Sequence, residues 1–172
     1  MRVLLMVALN AARHARPMGH AALRKGRRSI TGQVYLVTFT TAGRACHFED
    51  WSIAADASRI LGDASSWAPS KFLAWVLMPD HFHGLVQLAD GDALGQCVGR
   101  VKGICARVLR TNYPDAARIW DRGFHDRALR AEEDVRAAAR YLIANPLRAG
   151  LVEQIGDYPF WDAIWLRSDE PL

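Results

Sequence analysis

The apolar positions change period several times between Val34 and Asn145, and each change marks an element. VYLVTFTT at Val34–Thr41 is a β-branched and aromatic run bounded by Gly32 and Gly43, which predicts a strand. From Asp50 to Leu61, Trp51, Ala54, Ala57, Ile60 and Leu61 recur at helical spacing, and Gly62 supplies a stop. Ser65, Ser66, Pro69 and Ser70 read as a loop. FLAWVLM at Phe72–Met78 suits a buried strand, and HFHGLVQL at His81–Leu88 a second one. Pro79-Asp80 between them predicts an antiparallel hairpin. Leu94, Cys97, Val98, Val101, Ile104, Cys105, Val108 and Leu109 then follow the i, i+3, i+4, i+7 rule of an amphipathic helix. IWDRGFHDRALR at Ile119–Arg130 reads as extended, with a bend at Gly123. A last helix is expected over Ala131–Asn145. Glu132, Glu133 and Asp134 complement its dipole, and Pro146 disfavours helical geometry in the residue before it.

The first six elements read strand, helix, strand, strand, helix, strand. This is the βαββαβ order of the split-βαβ, ferredoxin-like arrangement, an α+β fold with one antiparallel sheet and helices on one face. The seventh element, a C-terminal helix, is extra to that plan and needs its own explanation. The organisation expected is a basic arm over 1–25, a single domain over 26–165 and a short tail over 166–172, with no internal repeat.

Composition adds little to this until it is divided along the chain. The 172 residues are 51% hydrophobic, enough to bury a core. Cys46, Cys97 and Cys105 form no CxxC pair, so neither a disulfide framework nor a Cys-rich zinc site is expected. No apolar run reaches the roughly 18 residues of a spanning helix. The opening MRVLLMVALNAA loosely resembles a signal peptide, but Asn10 interrupts its apolar stretch. It is read as a flexible arm or an upstream start, and a cytoplasmic location without membrane contact is expected. The net charge of +4 hides an uneven distribution. Residues 1–32 hold seven basic side chains and no acidic one, and residues 95–148 carry a net +5. A polyanion-binding face fits that distribution, as do a solvated arm and ordinary helix surfaces.

Two local patterns carry chemistry. In His81-Phe82-His83, residues i and i+2 of a strand leave the same face of the sheet, so the imidazoles stand side by side. Two neutral imidazoles on a rigid strand form a bidentate grip for a divalent metal, although two unrelated surface histidines give the same pattern. No HExxH occurs. On the last helix, Tyr141 and Asn145 are four apart and share a face. Tyr141 lies at the margin of the apolar stripe of Val135, Ala138, Ala139, Leu142 and Ile143, where either a half-buried core tyrosine or a nucleophile fits. Asn145 suits a helix end or a metal-directed oxygen equally well.

Three ordered segments, MPDHFHGLV, WDRGFHDRALR and YLIANPLRAGLV, resemble the REP-associated tyrosine transposases. These belong to the single-tyrosine HUH (His-hydrophobic-His) endonuclease superfamily, together with insertion-sequence transposases of the same type. The resemblance runs from about Gly26 to Trp165. It implies that His81 and His83 hold Mg²⁺ or Mn²⁺ against a scissile phosphate of single-stranded DNA, with Asn145 completing the metal site. It implies that Tyr141 is the nucleophile, forming a 5′-phosphotyrosine and releasing a 3′-hydroxyl. The extra helix then has a purpose: it carries the nucleophile to the sheet-borne histidines. The partner implied is single-stranded DNA with a hairpin, a REP-like palindrome, bound by a monomer or homodimer.

Arg100, Lys102, Arg107 and Arg110 are the expected phosphate-contacting residues of the central helix, extended from the arm by Lys25, Arg27 and Arg28. Trp120 and Phe124 are candidates for stacking on unpaired bases, with a core role for Trp120 as the alternative. Asp80 and His125-Asp126 are read as turn and surface residues, and Gly84 as a residue that loosens its strand. The function expected is metal-dependent cleavage and strand transfer near DNA hairpins. The main alternative is a hairpin-binding protein of the same fold without efficient catalysis. A hydrolase of small phosphoesters would leave the basic arm and the tyrosine unexplained.

Overall fold

The computed structural model describes residues 29–114, 118–130 and 134–166. Its elements are β1 (Val34–Thr40), α1 (Trp51–Leu61), α2 (Ala64–Trp67), β2 (Lys71–Met78), β3 (His81–Gln87), α3 (Leu94–Asn112), β4 (His125–Ala128), α4 (Val135–Ile143), α5 (Asn145–Arg148) and β5 (Trp161–Ala163). The strands form one sheet in the order β4-β1-β3-β2-β5, every neighbour antiparallel. The first four strands thus have the ferredoxin-like order, and β5 adds an edge.

The sheet divides the molecule into two layers because alternate residues leave opposite faces. Phe82 leaves one face and stacks with Phe39 at 4.6 Å between ring centroids, and with Trp67 of α2 at 5.9 Å. On this side α1, α2 and α3 pack together over the buried Val37, Phe39, Trp75 and Leu77. Thr38, His81, His83 and Leu85 leave the other face, where α4 packs across β2 and β3. The extra helix therefore lies on the histidine side of the sheet.

Helix ends follow local capping chemistry. Asp50 caps α1 by accepting hydrogen bonds from the backbone N–H groups of Ser52 and Ile53, at 2.8 and 3.1 Å. Asp134 caps α4 in the same way through Arg136 N at 2.8 Å. The expected first turn of the last helix is corrected accordingly. Asp134 stands before the helix as its cap, while Ala131–Glu133 lie outside the described residues. The expected end at Asn145 also moves. The helix stops at Ile143, Ala144 takes a non-helical ψ of 9°, and Asn145 begins α5 with Pro146 in its first turn. Proline is welcome there, since the first helical N–H groups have no intrahelical partner.

Three other readings change. Ser65 and Ser66 lie in the one-turn α2, capped by Asp63, and not in a loop. The three-residue β5 had no counterpart in the sequence pattern. Gly84 tightens its strand: a Cβ there would lie 2.7 Å from Cε1 of Phe82, so the bare backbone lets that ring fold back along β3. Among the described residues no helix is long and apolar enough to cross a membrane.

Candidate active site

β2 and β3 are joined by the two-residue Pro79-Asp80 turn, which places His81 and Met78 opposite one another at the end of the hairpin. His81 and His83 project from the same face, with ring centroids 4.6 Å apart and planes at 87°. Each imidazole is held through Nδ1. Nδ1 of His83 lies 2.7 Å from the Thr38 hydroxyl on the neighbouring β1, in register with it. Nδ1 of His81 lies 2.6 Å from the Asp80 carboxylate. The Asp80 carboxylate accepts from Nδ1 of His81, the Thr38 hydroxyl can donate to or accept from Nδ1 of His83, and both contacts hold the rings in place.

The electrostatics favour the ligating form of His83. It is only 3% exposed. Burial holds its imidazole well below the ordinary histidine value, and the charges of His81, Arg148 and Arg44 push the same way. Asp80 moves in the opposite sense to what its burial alone would cause. Desolvation raises it, but the hydrogen bond from His81 and the charges of His81 and Arg44 outweigh that, so its carboxyl sits below the ordinary value. The Arg44 contribution comes through an ion pair, Nε to Asp80 Oδ2 at 2.8 Å. Arg44 sits in the left-handed region at φ 59°, directly after Gly43 at φ 65°. Among the described residues it is the one non-glycine with positive φ, a conformation that costs a side-chain-bearing residue about 1 kcal/mol or more.

α4 and α5 close the site from above the sheet. Tyr141 in the last turns of α4 and Asn145 at the start of α5 line one cavity with His81 and His83, of about 340 Å³, walled also by Arg44, Asp80 and Arg148. Asn145 donates from Nδ2 to the Leu142 carbonyl at 2.7 Å, so its amide oxygen remains available as an acceptor. Arg148 places its guanidinium carbon 3.9 Å from the centroid of the Tyr141 ring.

The donor set fits a divalent cation. Among the described residues no three His, Cys, Asp or Glu side chains are gathered to hold a metal. The cavity lining includes the imidazoles of His81 and His83, the Asn145 amide and the carboxylates of Asp80 and Glu49, nitrogen and oxygen donors of the kind divalent cations take.

The expected contact residues divide. Lys25, Arg27 and Arg28 lie outside the described residues. Arg107 and Arg110 are exposed on α3. Arg100 and Lys102 have donors engaged within the fold. Lys102 donates from Nζ to the carbonyls of Asp121 and Gly123 at 2.7 and 2.8 Å, and burial lowers its ammonium to about 8. Arg100 pairs with Asp92 at 2.9 Å and donates to the Trp67 carbonyl. Trp120 and Phe124 are 5% and 8% exposed, and Trp120 packs edge-on against Phe39 at 4.8 Å, so both belong to the core and not to a base-stacking surface. His125 is exposed on β4 and does not line the cavity. The residues that sequence reasoning missed are Thr38, Arg44 and Arg148. It also set aside Asp80, although adjacency to His81 was a usable signal.

Comparison with known proteins bears on the family and the fold. A model of the family described as "Transposase IS200 like" matches residues 29–142, which include both histidines and the tyrosine. The REP-associated tyrosine transposase of Escherichia coli (strain K12) is 32% identical over 92 residues, covering 54% of this chain and 53% of that protein. A putative REP-associated tyrosine transposase of Haemophilus influenzae is 28% identical over 103 residues, covering 54% and 58%. The chain thus spans little more than half the length of these curated relatives. Among solved structures, a REP-associated tyrosine transposase bound to a REP hairpin superposes with a TM-score of 0.60 at 24% identity, over 78% of this chain and 79% of that one. A putative transposase from Deinococcus radiodurans gives 0.51 at 23% identity, over 71% and 96%. At these identities the two structures establish a shared fold. With the family model covering well over half of its length, the chain belongs to the IS200-like transposase family.

Proposed function

We propose that the protein is a single-strand DNA endonuclease and strand transferase that acts beside DNA hairpins. The observation that carries this reading is the convergence of His81, His83, Tyr141 and Asn145 on one cavity, although they come from a strand and two helices. Tyr141 is the nucleophile. Its oxygen attacks the phosphorus of a phosphodiester, the bond from phosphorus to the 3′-oxygen breaks, and the chain ends as a 5′-phosphotyrosine and a free 3′-hydroxyl. The phenolic proton is lost, and the departing 3′-oxygen gains one. The link exchanges one phosphodiester for another, so a DNA 3′-hydroxyl can reverse the step and reseal a strand without external energy.

Mg²⁺ or Mn²⁺ fits the donor set of His81 and His83 Nε2 with Asn145 Oδ1, and when bound supplies charge neutralisation at the phosphate. The chain itself fixes the geometry. Thr38 and Asp80 hold the two rings, and the buried neutral His83 keeps its lone pair available. Arg44 adds positive charge to the cavity wall. The nucleic-acid partner proposed is a REP-like hairpin with a single-stranded flank, as the hairpin bound by the structural relative suggests. Arg107 and Arg110 are the phosphate contacts retained from the sequence reading, with Lys25, Arg27 and Arg28 of the arm. The chain is proposed to act in the cytoplasm on chromosomal DNA.

The reading is tested with His81→Ala and labelled hairpin DNA. Cleavage is expected to disappear while the circular dichroism spectrum and hairpin binding persist. Cleavage at the wild-type rate would show that the imidazole pair has no part in the chemistry.

A further inference from the structure

Tyr141 and Arg148 are seven residues apart. In one continuous helix that separation is about 10 Å along the axis. Yet the guanidinium carbon of Arg148 lies 3.9 Å from the centre of the Tyr141 ring. Between them α4 ends at Ile143 and α5 begins at Asn145, with Pro146 in its first turn and Arg148 at its end. Two side chains of α5, Asn145 and Arg148, line the cavity.

We infer that Arg148 is a positioning residue for Tyr141, stacking on its ring so that the phenol stays in the cavity that holds His81 and His83. The inference rests on Tyr141 being the nucleophile. A cation over the face of a tyrosine ring is attracted by the ring quadrupole, and the planar guanidinium also restricts the ring sterically. Tyr141 needs such a restraint because it is only partly buried, at the rim of the apolar stripe. Its other neighbours, around a gap of about 10 Å³, include Leu36, Leu85 and Leu142, with Arg127 beside them. Arg148 also lines the cavity that holds His81 and His83. An arginine stacked on a ring that did no chemistry would be surface decoration, and the two cases make different predictions.

The test uses Arg148→Met and Arg148→Lys in the full chain. The first readout is the single-turnover rate of covalent adduct formation with hairpin DNA and Mn²⁺, and the second is hairpin affinity. The third is the ¹⁹F spectrum of protein labelled with 3-fluorotyrosine, without DNA or metal. The chain has four tyrosines, and the Tyr141 resonance is assigned by its loss in Tyr141→Phe. Arg148→Met is expected to slow adduct formation by about tenfold or more, with hairpin affinity changed by less than about threefold and the Tyr141 resonance shifted. Arg148→Lys keeps the charge without the planar stack and is expected to fall between. An adduct rate within about twofold of wild type overturns the inference, as does a slowed rate with an unmoved Tyr141 resonance. Failure of the wild-type protein to form any adduct overturns the nucleophile reading instead, and the ¹⁹F comparison then reports on the stacking alone.

Discussion

The Thr38 hydroxyl lies 2.7 Å from Nδ1 of His83, across the β1–β3 ladder at a position where the two residues are in direct register. The partner at one ring nitrogen orients an imidazole and tunes the basicity of the other nitrogen. Thr38→Val keeps the shape of the side chain and removes that partner. Outer-shell partners of metal-bound histidines typically matter by about 10–100-fold. The variant is expected to lose Mn²⁺ affinity within that range, measured by electron paramagnetic resonance of the free ion, with little change in melting temperature.

Asp80 holds His81 in the same manner and is itself held by Arg44. Asp80→Asn weakens the hydrogen bond to Nδ1 and removes the charge that attracts Arg44. It is expected to lower Mn²⁺ affinity about tenfold, and Arg44→Ala is expected to lower it less, since Arg44 acts through Asp80. Equal affinities for all three proteins would show that the Arg44–Asp80–His81 chain is only a surface ion pair.

Gly84→Ala tests the packing under the histidines. The added Cβ meets Phe82 Cε1 at 2.7 Å, and Phe82 is fully buried among Phe39, Trp67 and Trp75. Such overpacking costs about 1–3 kcal/mol, read as a lowered midpoint in urea unfolding.

Charge on α3 separates into a structural and an exposed set, and salt dependence can tell them apart. Arg107→Ala and Arg110→Ala are each expected to reduce the slope of log affinity against log salt by about one. Lys102→Met is expected to leave the slope unchanged and to lower stability, because the carbonyls of Asp121 and Gly123 lose their donor.

Acid stability should report the Asp92–Arg100 pair. Burial raises the Asp92 carboxyl, but hydrogen bonds from Arg100 and Ser70 and the Arg100 charge outweigh it, so the net shift is downward. A carboxyl lowered in the folded state stabilises the protein above its unfolded pKa, and that contribution is lost as pH falls through the folded value. Asp92→Asn is therefore expected to destabilise the protein by about 2 kcal/mol at neutral pH. In urea unfolding at a series of pH values, its deficit should narrow below the carboxylate range.

The parts of this fold that were legible in the sequence are those written in short-range spacing. The i, i+2 histidines and the i, i+4 pair of Tyr141 and Asn145 each need only one element's geometry, and β1, α1, β2, β3 and α3 follow directly from hydrophobic period. Thr38 and Arg44 were not legible because their partners lie across a strand pair or a loop. Arg148 was not legible because its stack joins it to Tyr141 seven residues away, a separation that no motif singled out. Charge was the least informative signal, since nothing local distinguishes Lys102, turned into a carbonyl nest, from the exposed Arg107. The β5 strand, at three residues, is too short to show a period.

The central claim is that Tyr141 becomes covalently joined to DNA. The direct measurement is incubation of the protein with hairpin DNA carrying a single-stranded flank and Mn²⁺, followed by denaturing electrophoresis and mass spectrometry of the trapped peptide. A denaturation-resistant adduct with the 5′-phosphate on the peptide containing Tyr141 is expected, and none from Tyr141→Phe. As much adduct from Tyr141→Phe as from the wild-type protein would contradict it.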